Sequence, residues 1–332
     1  MKGLAESIDR MVALEFRGDG VVDGVNDPLY RAARSKVGLP VVWEAASRLI
    51  AALDTERAVY LTTGHVLHDA LLVGETDGPP GAAALARAIV LASQCPVVLF
   101  CEEAVINTLT RTCQAIGLVV RNRVDLPLPR SVAVEAFPID PEAAAEKAGS
   151  LARDVAAMVA IEKIGRAADG NYYTGHGNDV SDTLSKVDLL FDAVRAQGGL
   201  TIGIGDLGNE IGFAGINEAM WDLVPNGQRL ASSVAADFTI VGGCSNWGAY
   251  GLTAAMAGIH RNLDLMHNAE LEREMIFECC RAGGVDGFST GPTYEVDGAN
   301  WRTHAAFVQL LRDVVEISIR TVKPERYRFA RK

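Results

Sequence analysis

The 332-residue chain has no cysteine pair at Cys-x-x-Cys spacing, no long apolar run, no tandem repeat and no excess of positive charge. Each absence removes a class of protein. The six cysteines, at 95, 101, 113, 244, 279 and 280, fit neither a zinc ribbon nor a secreted disulfide framework. They read as small buried hydrophobes. The longest apolar stretch, residues 88–101, is interrupted by Ser93, Gln94 and Pro96 and is too short to span a bilayer. The first twenty residues alternate charge with apolar side chains at helical spacing and lack the apolar core of a signal peptide. A soluble, cytoplasmic protein with no membrane partner is expected. Lys and Arg number 31 against 42 Asp and Glu, a formal net charge of −11. A phosphate-backbone binder needs a basic patch for counterion release, so no nucleic-acid partner is expected.

What is present is globular. Hydrophobic residues make up 49% and charged residues 22%, well away from disordered composition. Short apolar runs alternate with longer amphipathic segments, the pattern of an α/β fold with a layered sheet flanked by helices. Strands are expected at 57–62, 96–100, 131–136, 158–161, 200–204 and 238–241. Helices are expected through most of 1–53, around a Gly- and Asp-rich loop at 18–28, and at 79–93, 103–116, 140–152 and 184–197. A further helix is expected after the glycine-rich turn near 205, and others after Trp247, His267 and Trp301. The segment Leu-Pro-Leu-Pro-Arg at 126–130 marks either a boundary between lobes or a rigid connection. One compact unit is the favoured arrangement.

Acidic residues gather at the turns that follow strands. The strand at 200–204 runs into Gly203-Ile204-Gly205-Asp206-Leu207-Gly208, a G-x-G-x-x-G match by letter. Such glycines let a pyrophosphate approach a helix N-terminus. Asp206 and Glu210 would put two carboxylates where that anion sits, and like charges oppose it. The same turn suits a divalent cation, with Asp206 and Glu210 as hard oxygen donors and Asn209 as a neutral one. Asp206 as a helix N-cap with Glu210 in the first turn is the structural alternative. A second acidic turn carries Glu75 and Asp77 before Gly78-Pro79-Pro80, where Asp77 also fits an N-cap. Glu102 and Glu103 follow a third strand. Carboxylates at several strand ends imply an acidic cavity at the C-terminal edge of the sheet, where α/β proteins bind ligands and where buried charge calls for a cation.

The densest polar stretch runs from Glu162 to Ser181, and a long irregular loop in a compact domain is usually functional. Lys163 and Arg166 can grip a carboxylate, or pair with local acids on the surface. Gly242-Gly243-Cys244-Ser245-Asn246 follows another strand, with Ser245 and Asn246 suited to a polar ligand. Cys244 has no evident histidine partner to make it a nucleophile. His65-x-x-His68-Asp69 has metal-ligand residue types, but a helix start is the reading taken.

Taken together, these segments resemble one family. Residues 75–82 (ETDGPPGA), 161–173 (IEKIGRAADGNYY), 204–212 (IGDLGNEIG), 236–248 (ADFTIVGGCSNWG) and 283–287 (GGVDG) carry the resemblance. The set is similar to the D-glutamate cyclase-like family, a domain that occurs alone in prokaryotes and as the C-terminal part of a mitochondrial enzyme in animals. It spans about residues 55–320 and divides the chain into a helical segment, 1–54, packed on an α/β domain, 55–332. Leu207 stands where the family pattern leads to glycine, and Ile211-Gly-Phe-Ala where it leads to Ile-Gly-Met-Gly. The acids are kept, so pocket shape and substrate are what the departures touch.

The resemblance implies intramolecular dehydration of D-glutamate to 5-oxo-D-proline by a lyase. That chemistry needs the substrate folded for ring closure, a cation on the γ-carboxylate, a grip on the α-carboxylate and a base for the ammonium. The assignments expected are a divalent metal, Mn2+ or Mg2+ with Ca2+ as a crystal substitute, on Asp77, Asp206 and Glu210 with Glu75 beside them. Arg166 would hold the α-carboxylate, Lys163 or Asp169 would move the proton, and Asn209, Ser245 and Asn246 would orient the substrate. The partner is a small amino acid or carboxylate; a homo-oligomer is left open. Two alternatives share these residues: a metal-dependent hydrolase or lyase on another small carboxylate or phosphate ester, and a non-catalytic amino-acid or metal-binding module.

Overall fold

The strands of this chain are its β-branched apolar runs, and the alternate residues of each face opposite layers. The computed structural model describes residues 1–16, 24–67 and 73–320. It opens with helices α1 (Lys2–Val12), α2 (Asn26–Val37) and α3 (Val41–Ala52), followed by strand β1 (Ala58–Thr63). A short hairpin, β2 (Val66–Leu67) and β3 (Val73–Gly74), leads to α4 (Pro79–Ala92), β4 (Val97–Cys101), α5 (Ile106–Ala115) and β5 (Val119–Val120). Then come β6 (Ser131–Ala136), α6 (Pro141–Leu151), β7 (Val155–Ile161), α7 (Asp188–Ala196) and β8 (Leu200–Gly205). The one-turn helix α8 (Gly227–Leu230), β9 (Phe238–Val241), α9 (Ser245–His260) and α10 (Ala269–Arg281) follow. A second hairpin, β10 (Glu295–Val296) and β11 (Ala299–Asn300), precedes α11 (Trp301–Ile319).

Seven strands among the described residues form one parallel sheet in the order β5-β6-β4-β1-β7-β8-β9. On one face Tyr60, Val98, Phe100 and Met158 pack with Leu190, Phe191 and Val194 of α7 and Ala144 and Ala148 of α6. On the other, Val59, Leu61, Val97, Leu99, Val159, Ile202 and Ile204 share a core with α1, α3, α4 and α9. The α/β expectation, a sheet layered between helices, is therefore met. Chain order steps outward from β1 to β4 on one side and returns at β7 on the other. That reversal makes the C-terminal ends of β1 and β7 a topological switch point, the place where open parallel sheets bind ligands.

Helix α9 is apolar all round, and residues 245–258 are all buried, as such a helix must be. Gly248 lets it lie directly on the sheet, since a Cβ there would meet Ile204 Cγ2 at 2.5 Å. Residues 206–216 differ from expectation. They hold no regular helix but a looped excursion with isolated bridges, one from Ile164 to Glu210. The Leu-Pro-Leu-Pro-Arg segment joins β5 to β6 within one sheet and contains a cis Leu126–Pro127 bond. No helix among the described residues is long and apolar enough to cross a membrane.

Candidate functional site

The glycine-rich turn after β8 cradles an anion, and the anion is the protein's own. Glu210 folds back so that its Oε1 accepts the backbone N–H groups of Asp206 (2.8 Å) and Leu207 (2.9 Å), and its Oε2 that of Gly208 (2.7 Å). Gly205 is required because a Cβ there would lie 2.5 Å from the Glu210 carboxyl carbon, and Gly208 because its φ is +112°. The letter match to a nucleotide loop therefore has an internal cause. Burial and the neighbouring Asp206 raise the Glu210 pKa to about 7, against the pull of the three N–H groups. Asp206 itself caps no helix.

Two helix N-termini meet beside this turn and cap each other across the chain. Asp77, just before α4, accepts the N–H groups of Ser245 (Oδ2, 2.8 Å) and Asn246 (Oδ1, 2.9 Å) at the start of α9. Asn246 Oδ1 accepts those of Gly78 (3.0 Å) and Gly81 (2.7 Å) at the start of α4, and its Nδ2 donates to Thr76 O (3.2 Å). Pro79 and Pro80 have no N–H, so Gly81 is the first-turn donor that needs this acceptor. The reciprocal cap fixes Asp77 at the start of α9 with helix-dipole support for its charge.

Strand β7 delivers the residue that sequence reasoning left unassigned. Glu162 follows Ile161 directly and holds a left-handed backbone, φ +45°. Its Oε2 accepts from Ser245 Oγ at 2.5 Å. One carboxylate oxygen each from Asp77, Glu162 and Asp206 lies within 4.8 Å of the others. Burial, then Asp206, Glu75, Asp77 and Glu210, push the Glu162 pKa well above the usual carboxylate range. The signal was available: Glu162 ends an apolar strand, as Glu102 and Asp206 do. A second group joins Glu162 to Glu75 and His65, and a third joins Asp77 to Cys244 and Asp297. His65 sits between β1 and β2 rather than at a helix start; burial, then Lys163, lowers its pKa to about 4. His68 and Asp69 lie outside the described residues. Burial raises the Cys244 thiol well above its ordinary range, which leaves no activated nucleophile there.

Of the residues singled out from sequence, Asp77, Asp206 and Glu75 come together around Glu162, with Ser245 and Asn246 beside them. Glu210 stands next to Asp206 but spends its oxygens on the turn. Lys163 is wholly buried, donating to Gly64 O (2.9 Å) and to Glu102 Oε1, which also accepts from Ser185 N and Oγ. Glu102 Oε2 is buried without a hydrogen-bond partner. Asn209 Nδ2 donates to Tyr173 O (2.8 Å). Arg166 is engaged by Asp188 (2.6 Å) and Asp192, and Asp188 in turn accepts from Tyr172 Oη. Asp169 is exposed and accepts from Tyr173 Oη (2.6 Å). Lys163, Arg166, Asp169 and Asn209 thus make their contacts within the polar loop and its supports.

The donor chemistry suits a divalent cation. Three carboxylates from three separate elements converge, Asp77 and Asp206 buried and Glu162 half-buried, and the ammonium of the adjacent Lys163 is already bonded to Glu102.

A family model described as D-glutamate cyclase-like, C-terminal, matches residues 26–312, and the chain belongs to this family. It is 34% identical over 211 residues to D-glutamate cyclase, mitochondrial, of Homo sapiens, covering 61% of this chain and 33% of that protein. The chain therefore spans about a third of the length of this curated relative.

Proposed function

We propose that this chain is a lyase that closes D-glutamate to 5-oxo-D-proline with loss of water, and that Asp77, Glu162 and Asp206 hold a divalent cation, Mn2+ or Mg2+, for the reaction. The observation that carries the reading is the convergence of these three carboxylates in a chain of the D-glutamate cyclase-like family. When bound, such a cation neutralises a substrate carboxylate and makes its carbon more electrophilic.

The rest falls to the protein. In the closure the ammonium nitrogen loses two protons and bonds to the γ-carbon, while the departing γ-oxygen gains two and leaves as water. One group can therefore accept and return protons in turn. Glu102 is the candidate acceptor because its Oε2 is buried without a partner. Lys163 holds the other oxygen and acts as a positioning residue. Ser245 orients Glu162, and the Asp77–Asn246 cross-cap fixes the two helix starts beside it. We read Arg166 and Asp169 as braces of the polar loop, given their ion pair and tyrosine contact. Buried cysteines that are all free thiols support a reducing, cytoplasmic setting.

A second reading, another small carboxylate or phosphate ester in the same site, is favoured by one observation. Leu207, nearly buried beside Asp206, replaces the glycine that the family pattern leads to. Chiral chromatography after incubation with D- and L-glutamate and Mn2+ tests both. Formation of 5-oxo-D-proline from the D isomer, lost in Asp206→Asn, is the expected result. Inactivity on glutamate with turnover of a generic phosphate ester would replace the first reading with the second.

A further inference from the structure

Next to the three carboxylates already described, His65 is a buried imidazole, 7% exposed, whose Nε2 has no hydrogen-bond partner. Burying such an atom without a partner is unfavourable. Its Nδ1 stands 3.6 Å from Glu75 Oε1, beyond hydrogen-bonding distance. A ring nitrogen of His65 and one carboxylate oxygen each from Glu75 and Glu162 lie within 4.8 Å of one another. Glu162 belongs to this group and to the Asp77–Glu162–Asp206 group alike.

From this we infer that the centre takes two divalent cations, the second on His65, Glu75 and Glu162, with the Glu162 carboxylate shared between them. Geometry supports the number: His65 and Glu75 form one donor group, Asp77 and Asp206 another, and Glu162 is common to both. Donor type supports the identity. The first position offers oxygen alone, whereas an imidazole nitrogen with two carboxylates selects a first-row divalent ion such as Mn2+ over Mg2+ or Ca2+. A second position also accounts for a buried imidazole placed among carboxylates. This inference rests on reading Asp77, Glu162 and Asp206 as a cation site.

The test titrates the metal-free full chain with Mn2+, counting bound ions by calorimetry and following their electron paramagnetic resonance. Two Mn2+ per chain, with a spin-coupled multiline spectrum at two equivalents, are expected. His65→Leu should bind one Mn2+ with the plain six-line spectrum of an isolated ion, and Glu75→Gln should weaken the second equivalent at least tenfold. Wild type saturating at one uncoupled Mn2+ would overturn the second position and leave the first standing. No Mn2+ bound at all would overturn both. A coupled pair surviving in His65→Leu would remove His65 from the site. Should that variant fail to fold, wild-type stoichiometry and Glu75→Gln still decide.

Discussion

Replacing Asn246 with alanine separates what this residue does from what its position suggests. Its side chain is fully buried and serves three backbone groups: the N–H of Gly78 and Gly81 and the carbonyl of Thr76. Alanine leaves all three without that partner. Each buried group left unmet costs about 1–3 kcal/mol, and partial relaxation keeps the sum toward the lower end. A loss of roughly 3–5 kcal/mol follows, a large share of the 5–15 kcal/mol typical of a folded domain. At about 2–4 °C per kcal/mol for larger domains, the midpoint of thermal unfolding should fall by roughly 6–20 °C. Differential scanning calorimetry at one scan rate, with and without EDTA, reads this directly. A substrate-orienting role alone predicts the opposite pattern, intact stability with raised KM. A shift under about 2 °C would refute the cross-cap account.

Other perturbations follow from the same geometry. Arg166→Met leaves the buried Asp188 without its ion partner while Tyr172 still donates to it, so stability should fall by about 1–3 kcal/mol. KM for D-glutamate should stay within about threefold; a hundredfold rise would restore Arg166 to the substrate. His304 accepts from Trp247 Nε1 through Nδ1 and faces Val296 O through Nε2, and burial lowers its pKa below the ordinary 6.5. The folded state thus favours the neutral ring, and this contribution is present above about pH 6.5 and lost as pH falls below it. His304→Gln should therefore show a shallower fall in melting temperature from pH 7 to pH 5 than wild type; parallel curves would contradict this. Gly205→Ala forces the Glu210 carboxyl out of its turn and should destabilise by about 2 kcal/mol or more in chemical unfolding.

The fold was legible in the sequence because a parallel sheet buried on both faces writes its strands as apolar runs. The runs at 58–63, 97–101 and 155–161 are such strands. The two-residue edge strand β5 carries too little pattern to be read. The strand-end acids were legible as well, since Asp77 and Asp206 follow turn signals. Glu162 was not singled out because the reading of its polar loop went to the basic residues Lys163 and Arg166 beside it. The ion pairs that occupy them join residues 22–61 positions apart, which no local pattern encodes. Likewise the helix expected after Gly205 was undone by one side chain: Glu210 occupies the N–H groups of its own turn.

Glu162 concentrates two costs in one residue, and their sum makes it the sharpest place to test the cation reading. A left-handed backbone at a non-glycine position costs about 1–2 kcal/mol, and crowding its half-buried carboxylate against Asp77, Asp206 and Glu75 adds like-charge repulsion. Ser245 offsets part of this through one hydrogen bond. Such a residue persists when something bound in the folded state repays it. Glu162→Gln keeps size, backbone and a hydrogen-bond acceptor for Ser245 while removing the charge. In EDTA the variant should therefore melt at or above the wild-type temperature. Wild type at a hundredfold excess of Mn2+ over Kd should gain about 2.7 kcal/mol, and the variant less than about a third of that. A variant clearly less stable than wild type in EDTA, or equally stabilised by Mn2+, would mean that the acidic crevice is held together by the protein alone.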